Sequence, residues 1–149
     1  MSRDSKTTHR IMAAIPSKDT EPELLLRKAL WHMGMRYRVN VRTLTGKPDI
    51  VFTRTKIAIF VDGDYWHGHN WAIRGLDSLE QELAGYSEFW RTKILRNIER
   101  DKEVTSTLID EGWKVVRIWE SSIRENLAEC CALIQREYTL RIVQYNNHR

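Results

Sequence analysis

An α/β fold, a three-layer sandwich with a central mixed sheet flanked by helices, is predicted by three observations. Apolar residues recur at helical spacing over 25–33, and Trp90, Ile94, Asn97 and Asp101 fall four, three and four residues apart on one helical face. Short runs rich in β-formers lie between these segments, notably Ile57, Ala58, Ile59, Phe60 and Val61. The elements follow one another as αβββαβα.

In chain order, residues 1–19 read as a polar N-terminal arm with a short helix over 8–15, stopped by Pro16. Thr20 and Glu23 have capping-box spacing, and Leu25, Leu26, Ala29, Leu30 and Met33 form the apolar stripe of a helix that Gly34 ends. An edge strand is expected at 37–39, then two strands, the first opened by Asp49 and ending at Phe52, the second closed by Asp62. Residues 68–87 carry Gly68, Gly75 and Gly85 and read as a long loop with a helical turn over 78–84. A loop of that length in a small domain is more often functional than idle. A long charged helix runs over 88–111, with Gly112 at its C′ position. A strand over 113–119 and a helix over 122–139 follow, and 143–149 reads as a fraying polar tail. The domain proper is thus placed at 20–142. Trp31, Trp113 and Trp119 are expected in or at the edge of the core.

At 149 residues, 42% hydrophobic and 30% charged, the chain fits one globular domain. No apolar run reaches the roughly 18 residues that span a bilayer, and the first residues do not resemble a signal peptide. A cytoplasmic location with no membrane partner is the expectation. Cys130 and Cys131 are adjacent in a predicted helix, cannot easily bridge each other, and read as small core residues. The net charge of +4 permits nucleic-acid binding without requiring it. Lys and Arg do cluster in the arm, over 36–56 and over 91–100, the regions that flank the acids discussed next.

If the two central strands pair as a hairpin, Asp49 and Asp62 meet at its open end. Two such carboxylates repel unless a cation neutralises them, and hard oxygen ligands suit Mg²⁺. The plain alternative is that Pro48-Asp49 is turn chemistry and Asp62-Gly63 a strand stop. His67 and His69 just beyond add weight to a site. An Asp101–His67 pair would make a good general acid or base, because the carboxylate fixes the imidazole tautomer. The simpler view of Asp101 is one more charge on a solvated helix, and the residues alone favour that view.

Gly46-Lys47-Pro48-Asp49, then the run from Phe60 to His69, then Phe89-Trp90 with Lys93, Ile94, Asn97, Arg100 and Asp101, and finally Gly112 to Val115 with Ile118 to Glu120, together resemble the very-short-patch repair (Vsr) endonucleases. The resemblance spans 17–133 in order. It implies a restriction-endonuclease-like fold and Mg²⁺-dependent nicking of double-stranded DNA beside a T:G mismatch. It further implies Asp49 as central metal ligand, helped by the Val61 carbonyl, with Asp62, where the best-known member has histidine, as a second acidic ligand directly or through water. His67 would be the general acid or base, supported by Asp101. Glu23 falls where the family has an acid near the active centre.

The same resemblance implies that Tyr65, Trp66 and Trp90 form an aromatic wedge for the duplex, with Lys93, Asn97, Arg100 and Lys47 as further DNA contacts. A ring can replace lost base stacking, and unstacking is cheapest at a mismatch. The arm would clamp DNA, and the chain would act as a monomer associated with the nucleoid through DNA. The family's structural zinc ligands correspond here to Asp64, His69, Trp71 and Ser121. Asp64 and His69 make at most half a tetrahedral site, so structural zinc is not expected. A sequence-specific or homing-type endonuclease without mismatch dependence is the alternative function, and a non-catalytic DNA-binding module a weaker one.

Overall fold

The computed structural model describes residues 19–147. The predicted helix over 8–15 and the DNA-clamping role of the arm lie outside these residues, of which only Asp19 belongs to the arm. The first helix, α1 (Glu21–His32), carries Pro22 in its opening turn, where a missing N–H costs nothing, and two acids that favour the helix N-terminus. Leu26 and Leu30 are fully buried from its inner face. The expected capping box does not form, since the Thr20 side chain makes no cap bond. Glu23 instead accepts from the Asp19 N–H and pairs with Arg27 one turn on.

Strands β1 (Ile50–Phe52) and β2 (Ile57–Asp62) pair antiparallel, with Ile50 opposite Ile59. After the short helices α2 (Asn70–Ile73) and α3 (Leu79–Ala84), the long helix α4 (Glu88–Asp110) carries the chain back so that β3 (Lys114–Trp119) lies parallel to β2. Parallel pairing requires such a crossover. The result is a three-stranded mixed sheet in the order β1-β2-β3. The predicted turn over 78–84 is α3, capped by the Ser78 hydroxyl.

Period-two alternation along β2 decides what each face of the sheet meets. Ile57 and Ile59, with Val116 and Ile118 of β3, join the main core against Leu26 and Leu30 of α1 and Cys130, Cys131 and Ile134 further on. The cysteines are buried and unbridged. Ala58 and Phe60 face the other way, onto Leu108 of α4. Asp62 continues this second series, so the strand that builds the core delivers a carboxylate beneath α4.

Four expectations change. The edge strand at 37–39 reduces to a single bridge between Arg38 and Val51, because Asn40 turns to a left-handed φ of 56° and ends the pairing. The last helical segment divides into α5 (Glu120–Glu125) and α6 (Leu127–Asn147), with the Asn126 side chain accepting the Glu129 N–H as a fresh cap. Within it, 143–147 remain helical instead of fraying, and the Arg54 guanidinium lies 5.0 Å over the Tyr145 ring. Trp31 is 47% exposed outside the core, beneath the Arg36 guanidinium. No helix among the described residues is long and apolar enough to cross a membrane.

Candidate active site

Asp49 stands immediately before β1, with its N–H donating to the Ile59 carbonyl at 2.9 Å. Its Oδ2 turns back to accept the Val61 N–H at 2.7 Å. Burial pushes its pKa up to about 7; the Val61 hydrogen bond opposes this, and the charges of Glu23 and Asp62 add to it. Burial and the neighbouring acids thus outweigh the Val61 hydrogen bond and the Arg27 charge, both of which favour the ionised carboxylate. One Asp49 oxygen is taken by the Val61 N–H, and a carboxylate of this kind is an oxygen ligand that suits a hard divalent ion.

A second group lies on the α4 side. Asp62 is 6% exposed and receives Arg117 Nη1 at 3.0 and 3.1 Å on its two oxygens. Its pKa is raised by burial, against the lowering effects of His67 and Arg117. His67 Nδ1 is hydrogen-bonded to Asp101 Oδ2 and lies 3.9 Å from Asp62 Oδ1. Burial disfavours the imidazolium, but the Asp101 hydrogen bond and the two carboxylate charges outweigh it, and the His67 pKa is raised. One ligand atom from each of Asp62, His67 and Asp101 falls within a 4.8 Å group.

The loop after β2 makes that meeting possible. The His67 N–H bonds to the Gly63 carbonyl at 3.2 Å, and Asn97 of α4 donates to the Trp66 carbonyl at 3.1 Å. At Gly68, φ is +78° and a Cβ would lie 2.5 Å from Ile98 Cδ1, so glycine lets the loop lie on α4 there without backbone strain or a shift of Ile98. Next along, the buried Asp64 accepts from Ser121 Oγ at 2.6 Å and Ser121 N at 3.0 Å and is bonded to His69 Nδ1 at 2.7 Å. The His69 ring stacks on Trp119 at 4.2 Å, and Trp71 lies edge-on to it. Asp64, His69, Trp71 and Ser121 thus tie the loop to the end of β3 by hydrogen bonds and ring contacts.

Tyr65, Trp66 and Trp90 pack together, with Trp66 5.3 and 5.2 Å from the other two rings. Tyr65 and Trp90 are buried with Leu83 and Ile94, while Trp66 is partly exposed beneath the Lys93 ammonium. Lys93, Asn97 and Arg100 line one groove along α4 together with Phe89 and Arg96. Lys47 is exposed and does not line that groove.

A family model described as DNA mismatch endonuclease Vsr matches residues 3–73. The chain is 47% identical over 123 residues to the type II nicking enzyme V.NmeDIP of Neisseria meningitidis serogroup C, covering 83% of this chain and 79% of that protein. The chain belongs to the Vsr family. It is also 42% identical over 132 residues to the type II nicking enzyme V.HpaIIP of Haemophilus parainfluenzae, covering 89% and 90% of the two chains. With the DNA mismatch endonuclease Vsr of Escherichia coli K12 it shares 35% identity over 121 residues, 81% of this chain and 74% of that one.

In this Vsr-family chain the structure therefore collects Asp49, Val61 and Glu23 on the α1 side, and Asp62, His67 and Asp101 on the α4 side. Sequence reasoning missed Arg117, which binds the second group together, and Glu120, whose pKa burial raises, Arg124 lowers and nearby Asp64 raises. Arg117 did leave a signal. It is a charge set between Val115, Val116, Ile118 and Trp119 in the strand Lys114–Trp119, and a half-buried strand position seldom holds an unpaired charge.

Proposed function

We propose that this DNA endonuclease hydrolyses a phosphodiester bond with Mg²⁺, nicking one strand at a T:G mismatch in very-short-patch-type repair. The observation that carries the reading is Asp49: a carboxylate that accepts the Val61 N–H and is raised to a pKa of about 7 by burial and by the charges of Glu23 and Asp62, the latter grouped with the hydrogen-bonded His67–Asp101 pair. Asp49 and the Val61 carbonyl would hold the metal. Asp62, with both oxygens facing Arg117, would act on it through water. When bound, Mg²⁺ supplies Lewis acidity to the scissile phosphate and neutralises the leaving 3′-oxygen.

The chain's own residues supply the rest. Asp101 fixes the imidazole through Nδ1, leaving Nε2 of His67 to take a proton from the attacking water. Lys93, Asn97 and Arg100 line a groove suited to a phosphate backbone, since such contacts position the duplex without reading its sequence. Trp66, the most accessible ring of the trio, leads the wedge, and Tyr65 and Trp90 buttress it. The burial of Tyr65 and Trp90 favours one second reading, an endonuclease with this chemistry that cuts matched sites, because such a wedge must rearrange before it can enter a duplex.

End-labelled duplexes with and without one T:G mismatch, incubated in Mg²⁺ or EDTA with Asp49→Ala as control, test the proposal. Strand-specific, Mg²⁺-dependent cutting at the mismatch supports it. Equal cutting of both duplexes supports the second reading, and full activity of Asp49→Ala refutes the metal assignment.

A further inference from the structure

Two carboxylates and an imidazole within 4.8 Å form a grouping that ordinarily attracts a divalent cation. Here a guanidinium already stands against it. Arg117 Nη1 contacts both oxygens of Asp62 and lies 3.6 Å from Asp101 Oδ1. Its Nη2 donates to the Asp101 carbonyl at 3.2 Å, its Nε donates to Thr105 Oγ1 at 2.8 Å, and its plane rests 4.2 Å over the Phe60 ring. All three nitrogens and the face of the group are engaged. Arginine stays charged in any protein environment, and its planar fork holds direction as well as charge.

We propose that Arg117 is a positioning residue. It serves as an internal cation that lets Asp62 and Asp101 stand beside His67 without metal, and so directs the divalent ion to Asp49. It also selects the oxygen that meets the histidine: Asp101 is held by its carbonyl and drawn by Oδ1 toward the guanidinium, which leaves Oδ2 for His67 Nδ1. An arginine that only bolted β3 to α4 would have no reason to contact both acids of the histidine. The inference rests on the metal role proposed for Asp49, and it makes one statement that role does not. Without the guanidinium, Asp62, His67 and Asp101 become a second cation site.

The test is Mn²⁺ binding to the DNA-free full chain, followed by electron paramagnetic resonance of the free ion. Wild-type protein is expected to bind one Mn²⁺, abolished in Asp49→Asn and retained in Asp62→Asn. Arg117→Met is expected to bind a second Mn²⁺, lost again in Arg117→Met/Asp62→Asn. Arg117→Lys is expected to restore single occupancy, since its ammonium keeps the charge. Nicking by Arg117→Met should lose about 10- to 100-fold in kcat, the usual effect of removing a group that orients a reactive one, with KM unchanged. Arg117→Lys should recover part of that loss. Should the Met variant not fold by circular dichroism, Arg117→Gln carries the same expectations. Unchanged Mn²⁺ stoichiometry in folded Arg117→Met or Arg117→Gln protein overturns the inference, as does a wild-type site lost in Asp62→Asn but kept in Asp49→Asn. Failure of the Asp49 assignment alone is seen separately, as a wild-type site insensitive to Asp49→Asn.

Discussion

Replacing Asp49 by asparagine should stabilise the metal-free protein at alkaline pH while abolishing its chemistry. The Asp49 pKa is near 7, against 3.8 for an ordinary aspartate. A folded-state pKa above the unfolded one means that folding opposes ionisation: the penalty is absent below about pH 4, grows as pH rises toward 7, and is complete above it. About three pH units correspond to a ceiling of about 4 kcal/mol. Solvent screening of a part-exposed side chain reduces this to about 1–2 kcal/mol. The substituted side chain would keep the Val61 N–H bond through its amide oxygen and shed the charge. The expected gain is roughly 2–8 °C in Tm at pH 8 in EDTA for a chain of this size, shrinking toward zero as pH approaches 4. Mg²⁺ should raise the Tm of wild type at pH 8 and leave the variant unmoved, because only wild type has the Asp49 charge to neutralise. An Asp49→Asn protein less stable than wild type at pH 8, or a gain equal at both pH values, would refute the electrostatic account of this site.

Three further outcomes follow from the geometry. Asp101→Asn should lower the single-turnover nicking rate by about 10²- to 10⁴-fold. It should also move the pH–rate limb belonging to His67 to lower pH, since the hydrogen bond and charge that raise that pKa are weakened or lost. Gly68→Ala should destabilise the chain by about 1–3 kcal/mol in denaturant titrations, because a φ of +78° strains a residue with a Cβ and the tip of Ile98 must also move aside. Tyr65→Phe should be neutral or stabilising by up to about 1 kcal/mol in the same assay, because among the described residues the buried hydroxyl has no hydrogen-bond partner. A loss above that size would mean the hydroxyl is satisfied after all.

Local patterns carried much of the fold. The β-rich run before Asp62, the stripe from Leu26 to Leu30 and the terminating Gly112 all appear as expected, because side-chain period and glycine conformation act within a few residues. The edge strand failed for a local reason that single-residue propensity does not display, the left-handed Asn40. At the site, Asp49 and Asp62 could be read from the strand ends they occupy, and the face shared by Trp90, Ile94, Asn97 and Asp101 from helical spacing.

From the order of residues came the elements, the Vsr resemblance, and which side chains carry acid, imidazole and aromatic groups at the ends of those elements. Who neutralises whom was left to the packing of helix against sheet. Asp101 meets His67 across 34 positions, and Arg117 reaches Asp62 across 55, through the parallel β2–β3 register and the crossover of α4. Contacts of that separation depend on how the elements pack. No periodicity in the chain encodes the pairing directly, so the residues alone favoured a solvated Asp101, the Vsr resemblance named it as the partner of His67, and neither pointed to the arginine that contacts both acids.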